Sequence, residues 1–208
     1  AMFLTLILSS FLTFMELNCE NLFDTRHDSL KNALEFLPDG SYRWTSYRYW
    51  AKLNHLGQEI VAQSNPIPDF VAMCEVENDS VMFDLTRRSL LRNAGYEYVM
   101  TSSPDERGID VALLYQPASF ALLHSHSIRI KPLPDTRPTR DILYASGLII
   151  TGDTLHVFVV HAPSRRGGEQ AFRPYRLHVA SCLAEAVDSV YAISRDAKII
   201  IAGDFNDY

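Results

Sequence analysis

Cysteine is scarce in this sequence of 208 residues: there are three, and no two are spaced as a pair. The spacing indicates neither a disulfide framework nor a zinc site. Basic residues are not in excess either, since 19 Lys and Arg stand against 25 Asp and Glu, which gives a net charge of −6. That balance argues against a broad basic surface for nucleic acid, although it leaves room for a narrow phosphate-binding cleft.

Long apolar runs, internal repeats and low-complexity segments are absent from the sequence as well. The apolar amino terminus is interrupted at Ser9 and Ser10, and it is too short and too hydroxylated to span a membrane. Residues 1–10 have three interpretations: the remnant of a secretion signal, residues added by cloning, or an extra strand. A signal remnant would indicate a secreted or periplasmic bacterial protein, and otherwise a cytoplasmic one is expected.

The composition that remains is ordinary for a globular protein, with 47% hydrophobic and 21% charged residues. The length fits one domain, which we predict over residues 11–208. The predicted strands are residues 11–17, 70–74, 96–101, 109–115, 142–150, 155–160 and 199–202. The predicted helices run from a Thr45 cap through Ile60, from Asp79 or Ser80 through Leu91, and over residues 169–193. Alternating strands beside fully apolar ones indicate an α/β (α+β) fold, with a mixed sheet and helices outside it.

Polar side chains stand at the ends of several of these strands. They are Asn18, Glu75, Asp110, His161, Asp204 and Asn206. Taken singly, most have an ordinary explanation, such as a turn residue for Asn18 or a hydrogen-bonded loop histidine for His161. Asp110 is harder to explain, because a carboxylate inside an otherwise apolar strand needs a partner. Six such placements together indicate a ligand site where the strands end.

Five stretches of the sequence carry a more specific pattern. They are residues 17–24, 69–78, 107–115, 157–164 and 201–207. In this order they resemble the endonuclease/exonuclease/phosphatase family, the deoxyribonuclease I-like proteins, with the strand-borne Glu75 and the run from Gly203 to Asn206 as the most specific parts. The resemblance implies a four-layer α/β/β/α sandwich and divalent-metal-dependent hydrolysis of a phosphate ester.

The resemblance also implies roles for individual residues. Glu75 matches the family's metal-binding glutamate, which would hold Mg²⁺ or Mn²⁺, and Asn18 matches the asparagine beside that metal. Asp204 and Asn206 match the pair that orients the attacking water and holds the phosphoryl oxygens. His161 matches the histidine beside the scissile phosphate.

Further assignments concern a partner for the histidine and contacts to the substrate. Asp110 is the carboxylate expected to orient His161, since an imidazole needs a second hydrogen bond to fix its tautomer. Arg140 resembles the arginine whose planar fork contacts a substrate phosphate. Arg107 and Arg165 are either further phosphate contacts or solvated loop charges.

The sequence departs from the family in one respect. The family pattern continues through further strands to a Ser-Asp-His-type motif, which supplies a second histidine and a further acid, and no such motif occurs in this sequence. We therefore expect the amino-terminal two-thirds of the domain, inactive alone and prone to self-association. The remainder lies outside this sequence or was removed by cleavage, unless the protein is an unusual short form.

Two classes of function stay open at this point. The first is a metal-dependent phosphoesterase acting on nucleic acid, on a lipid or on a small phosphodiester. The second is a non-catalytic module that binds phosphate or nucleic acid and has lost the second histidine. A thiol- or zinc-based hydrolase using Cys74 and His161 is less favoured, because Cys74 has apolar neighbours in its strand.

Overall fold

The computed structural model describes residues 11–63, 65–134, 136–164 and 169–206. The strands are β1 (Phe14–Leu22), β2 (Phe70–Val76), β3 (Glu97–Met100), β4 (Asp110–Tyr115), β5 (Phe120–Ile128), β6 (Ile142–Ile149), β7 (Thr154–His161) and β8 (Lys198–Asp204). The helices are α1 (Ser46–Ala62), α2 (Asp79–Phe83) and α3 (Glu169–Ile193). The interpretations of residues 1–10 and of Arg165 fall outside the described residues. None of the described helices combines the length and the apolar composition that crossing a bilayer demands.

The strands form two mixed sheets of four strands each. The first sheet has the order β1-β2-β4-β3 and the second has the order β5-β6-β7-β8. Each sheet contains one parallel pair, β1 with β2 and β7 with β8, and the other neighbours are antiparallel. Because parallel strands end at the same edge, each sheet brings two carboxyl ends together.

The two sheets face one another across an apolar core. Phe70 and Val111 of the first sheet belong to the same buried cluster as Phe120 and Val157 of the second. Burial of each such side chain contributes roughly 1.5–3 kcal/mol, which makes this central layer the main source of cohesion between the sheets. The rings of Phe70 and Phe120 meet edge to face at 5.2 Å between centroids.

The helices cover the two outer faces. Helix α1 presents Leu53 and Ile60 to a second buried cluster with the outward side of β2, as the helical spacing of its apolar residues predicts. Helix α3 covers the second sheet with Val179 and Leu183, four residues apart, which pack with Phe158 of β7. The predicted α/β/β/α sandwich is therefore confirmed.

Two strand predictions need correction. The first strand was expected to end at Leu17, but β1 continues to Leu22 through an irregular stretch in which Asn18 pairs with Cys74 and the register then shifts. The continuous apolar run at residues 199–202 predicts a strand buried on both faces, but β8 is an edge strand of the described sheet and Ile201 is 43% exposed.

The helix predicted through Leu91 is interrupted. Asn78, rather than Asp79 or Ser80, caps α2, since its side chain accepts a hydrogen bond from the Val81 amide. A π turn (Asp84–Arg88) follows, and the extended backbone of Ser89 then starts a separate 3-10 turn. The sequence analysis did not predict β5. Its second half is His-Ser-His-Ser, which lacks the alternation of apolar and polar residues that identifies a strand.

Gly203 controls how closely β7 and β8 approach. It pairs with Val160 in the parallel register, and its φ is +124°, a backbone conformation that other residues rarely adopt. A Cβ at this position would lie 1.9 Å from the Val160 carbonyl oxygen. The next residues in the register are His161 and Asp204, so this close approach sets those two side chains next to one another.

We expect Gly203→Ala to destabilise the fold by about 2–5 kcal/mol, the sum of backbone strain and steric overlap. Gly152→Ala is the matched control, because Gly152 also has a positive φ, of +83°, but no atom lies within 4 Å of its added Cβ. The control should lose only about 1–2 kcal/mol. Urea denaturation measures both losses of stability. Equal losses would show that the close approach of β7 and β8 at Gly203 contributes nothing to the cost of the added methyl group.

Candidate active site

The carboxyl ends of the two parallel pairs meet where the sheets face each other. Asn18 Nδ2 of β1 donates a hydrogen bond to Asp204 Oδ2 of β8, at 3.1 Å. His161 Nε2, at the end of β7, lies 3.9 Å from Glu75 Oε1 and 3.9 Å from Asp204 Oδ2. The structure thus brings together four of the six predicted strand-end side chains, two from each sheet.

Unusual backbone geometry is concentrated at this site. Among the described residues, five other than glycine have a positive φ, and four of them, Glu20, Asn21, Glu75 and Asn206, line one cleft of about 550 Å³. Each such conformation costs about 1–3 kcal/mol and persists only where the surroundings enforce it. Conformations of this kind cluster at functional sites, and here they aim Glu75 and Asn206 at the cleft.

His161 is buried, and its surroundings disfavour the charged form of the ring. Burial, with the charges of Arg140 and Arg107, lowers the pKa of its ring to about 2. The ring therefore stays neutral at pH 7 although two carboxylates lie 3.9 Å from Nε2. A neutral imidazole can donate one hydrogen bond and accept another, and Nδ1 has no partner among the described residues.

Asp110 does not supply that partner. Its carboxylate accepts hydrogen bonds from the Thr101 hydroxyl at 2.5 Å, from the Ser103 amide at 2.9 Å and from the Ser103 hydroxyl. The expected pairing of Asp110 with His161 is thus not observed, and Oδ1 of this carboxylate is instead engaged by three donors of the loop after β3.

Asn206 and Arg140 share one acceptor. Asn206 Nδ2 and Arg140 Nη2 donate to the Ala162 carbonyl oxygen at 2.9 and 2.7 Å. Arg140 is buried and its Nη1 faces Asp105 Oδ2 at 3.4 Å, so its guanidinium is held by protein atoms. Both side chains therefore fix the chain that follows His161, and a contact from Arg140 to a substrate stays a prediction.

Cleft residues that sequence reasoning missed lie on α1 and before it. Lys52 Nζ donates to the carbonyl oxygens of Glu20 at 2.5 Å and Asn21 at 3.3 Å, which holds two of the positive-φ residues in place. Arg48 lies one helical turn before Lys52 and lines the same cleft. Their i, i+4 spacing on a polar helix face was the available signal. The predicted Arg107 also lines the cleft and donates to Asn21 Oδ1.

The donor set suits a divalent cation. Among the described ion pairs, Glu75 and Asp204 have no Lys or Arg partner, and His161 is the one basic side chain within 4 Å of either carboxylate. Partial burial and the charge of Asp204 raise the pKa of the nearby Glu16. In the described part of the chain no three His, Cys, Asp or Glu side chains form a ready metal cage. A cation here would keep much of its water, as Mg²⁺ commonly does.

The thiol-based alternative does not agree with the structure. Cys74 is fully buried, and burial raises the pKa of its thiol to about 12. Its Sγ donates to the Val160 carbonyl oxygen at 3.6 Å between the two sheets. A buried, protonated thiol is a core side chain and a poor nucleophile.

The comparison with known families decides the assignment. The sequence profile of the Endonuclease/Exonuclease/phosphatase family matches residues 13–208, nearly all of the described fold. The chain belongs to this family. No curated protein matches the sequence.

Solved structures of the family have the same fold. The human Nocturnin catalytic domain with bound sulfate shares 19% identity at a TM-score of 0.65, over 95% of this chain and 64% of that one. D. rerio TDP2 complexed with a single-strand DNA product shares 18% identity at 0.60, over 95% and 61%. A mannosyl-6-phosphatase of Bacteroides thetaiotaomicron shares 20% identity at 0.62, over 94% and 65%. The chain thus spans less than two-thirds of the length of these family structures.

The hydrogen bonds of Asp110 predict a role in stability. We expect Asp110→Ala to lower the free energy of unfolding by about 1–3 kcal/mol, because it removes the acceptor of the buried Ser103 amide and leaves the Thr101 and Ser103 hydroxyls only acceptors at 3.4 Å. The control is Asp188→Ala, which removes an exposed carboxylate of α3 that has no hydrogen bond or ion pair among the described residues, and it should change stability by less than about 0.5 kcal/mol. Chemical denaturation compares them, and equal small effects would contradict this role.

Proposed function

We propose that the protein hydrolyses phosphodiester or phosphomonoester bonds with the help of a divalent cation, by in-line attack of an activated water. The observation that carries the proposal is the cluster around His161 Nε2, which lies 3.9 Å from the carboxylates of Glu75 and Asp204. Phosphate esters resist attack because their negative charge repels an anionic nucleophile. A site for their hydrolysis therefore needs a cation, a water-orienting carboxylate and donors for the phosphoryl oxygens.

The residues divide these tasks among them. Glu75, with Asn18 beside it, would hold Mg²⁺ or Mn²⁺, and the bound cation would supply neutralisation of the phosphate charge. Asp204 is already oriented, since its Oδ2 accepts from Asn18 Nδ2 and its Oδ1 accepts from the Asn206 amide at 2.9 Å. A carboxylate held in this way orients a water and accepts its proton. His161, as a neutral donor, stabilises charge on an equatorial phosphoryl oxygen.

Two classes of substrate are compatible with this reaction. Nucleic acid is one candidate, supported by the family's D. rerio TDP2 and its single-strand DNA product, and a sugar phosphate is another, supported by the mannosyl-6-phosphatase. The exposed Arg107 on the cleft wall suits either, because its guanidinium can contact two phosphate oxygens.

Hydrolysis of bis(4-nitrophenyl) phosphate by the full-length protein, with and without chelation of divalent cations, tests the proposal. Activity that disappears on chelation and returns with Mg²⁺ or Mn²⁺ is the expected result. Binding of phosphate without hydrolysis under any of these conditions would favour the non-catalytic module instead.

We expect Glu75→Gln to weaken Mn²⁺ binding by at least about tenfold, because it removes the charged ligand and about 1.4 kcal/mol corresponds to each factor of ten. Isothermal calorimetry on the 208-residue chain measures this without requiring activity. Glu59→Gln on the exposed face of α1 is the control and should bind Mn²⁺ like the unchanged protein. Equal affinities for Glu75→Gln and the control would remove Glu75 from the site.

We expect His161→Asn and Asp204→Asn each to lower turnover by about 10²–10⁴, the range for a proton-transfer or water-orienting group. Their melting temperatures should change little, since neither side chain fills the apolar core. His55→Asn on the exposed face of α1 is the control and should keep full turnover. A large drop in melting temperature with nearly normal turnover would assign these residues a structural role.

Self-association also stays a prediction of the sequence. Within the described sheet β8 is an edge strand, and Ile201 and Phe205 are 43% and 41% exposed. An edge with exposed apolar side chains favours pairing with another chain.

A further inference from the structure

The cleft beside the proposed catalytic cluster has two chemically different walls. One wall carries the polar residues Asn18, Glu75 and Asn206. The other carries aromatic and cationic residues from α1 and the loop that precedes it, namely Phe36, Tyr42, Trp44, Arg48 and Lys52. The proposed phosphate chemistry uses Asn18, Glu75, His161 and Asp204, so the aromatic and cationic wall has no role in it.

The aromatic wall is the end of a stack of three rings. Phe23, which is buried, lies parallel to Phe36 with 4.3 Å between centroids and 18° between planes. Phe36 in turn lies against Tyr42 at 5.0 Å and 29°. Tyr42 is the last ring and is 53% exposed on the cleft. A further flat ring can continue this stack, since aromatic rings pack well in offset parallel arrangements.

The loop that carries Tyr42 is held in place before any ligand arrives. The Tyr42 amide donates to the Glu35 carbonyl oxygen at 3.1 Å, and Arg48 Nη1 donates to the Tyr42 carbonyl oxygen at 2.6 Å. Gly40 is enclosed so tightly that a Cβ would lie 2.3 Å from the Leu34 carbonyl oxygen. A ring fixed in this way loses little freedom on binding, which favours affinity.

The polar groups of this wall favour a nucleobase over a sugar ring. A sugar needs hydrogen-bonding partners for its hydroxyl groups, but the Trp44 indole N–H already donates to the Phe23 carbonyl oxygen at 2.8 Å. Lys52 Nζ is likewise engaged with the carbonyl oxygens of Glu20 and Asn21. What remains is the exposed face of Tyr42 with Arg48 and Arg107 on the same cleft, and each of these arginines uses one guanidinium nitrogen in a hydrogen bond among the described residues. An aromatic face beside guanidinium groups is the combination that binds bases and phosphates of single strands.

We propose that the exposed ring of Tyr42 stacks on the base of a nucleotide whose phosphate lies at the cluster of Glu75, His161 and Asp204. The inference rests on the proposed function for the position of that phosphate. It narrows the substrate to a phosphate ester that carries a purine or pyrimidine base. The base belongs to a free nucleotide or to the end of a nucleic-acid strand, which present the same chemistry to this ring.

Calorimetry on the 208-residue chain carrying His161→Asn tests the proposal without dependence on turnover. The ligands are AMP, ribose 5-phosphate and mannose 6-phosphate, each with Mg²⁺ present. Because stacking of one base is worth about a factor of 5 to 150 in affinity, AMP should bind at least about fivefold more tightly than ribose 5-phosphate. If a 5′-phosphorylated trinucleotide binds more tightly than AMP, the base that stacks on Tyr42 belongs to the end of a nucleic-acid strand. If the two affinities are equal, the base belongs to a free nucleotide.

Three substitutions separate stacking from packing. Tyr42→Leu keeps an apolar cover on Phe36 but removes the aromatic face, so AMP affinity should fall about tenfold while ribose 5-phosphate affinity stays the same. Tyr42→Phe keeps the ring and should bind AMP normally. Tyr47→Leu is the matched control, because Tyr47 is 83% exposed on α1 and does not line the cleft.

Several results would overturn the proposal. AMP and ribose 5-phosphate could bind equally, mannose 6-phosphate could bind most tightly, or Tyr42→Leu could weaken all ligands equally together with a lower melting temperature. If the full-length protein hydrolyses bis(4-nitrophenyl) phosphate but AMP binds no more tightly than ribose 5-phosphate, the base subsite is wrong and the proposed function stands. If no ester is hydrolysed and AMP binding still depends on Tyr42, the proposed function fails and the base subsite stands.

Discussion

The hydrogen bond from Asn18 Nδ2 to Asp204 Oδ2, 3.1 Å long, joins the carboxyl ends of the two parallel strand pairs. Its partners are 186 residues apart in sequence and belong to different sheets. It exists because the sheets pack face to face and because Gly203 allows β8 to approach Val160 closely. The same approach places His161 beside Asp204, so the arrangement of the site is a consequence of how the two sheets meet.

This arrangement stores strain that the rest of the fold must offset. Glu20, Asn21, Glu75 and Asn206 all have positive φ values between 50° and 65°, at a cost of about 1–3 kcal/mol each. Lys52 binds two of the carbonyl oxygens concerned, and burial lowers the pKa of its ammonium group. The core between the sheets supplies the stabilisation that such a site requires, and the rigid backbone keeps the polar groups aimed at the cleft before substrate binds.

Much of the site could be predicted from the sequence because it depends on strand ends. Asn18, Glu75, His161 and Asp204 each follow an apolar run, and in a parallel pair those ends must meet at one edge. The partner of Asp110 could not be predicted in the same way, because it depends on the path of the loop after β3. Strand β5 and the aromatic cleft wall were missed for a related reason: an edge strand and a hydrogen-bonded loop leave no regular apolar period in sequence.

The most direct test of the central claim, that a divalent cation binds beside the neutral His161, is the effect of Mn²⁺ on the NMR signals of the histidine rings. Mn²⁺ broadens signals of nuclei close to it, and His161 Nε2 lies 3.9 Å from the proposed ligand Glu75. The ring signals of His161 should broaden at about one equivalent of Mn²⁺, while those of His124 and His126 on the outer face of β5 keep their widths. Broadening that begins at His124 and His126, or that spares His161 at saturation, would contradict the account.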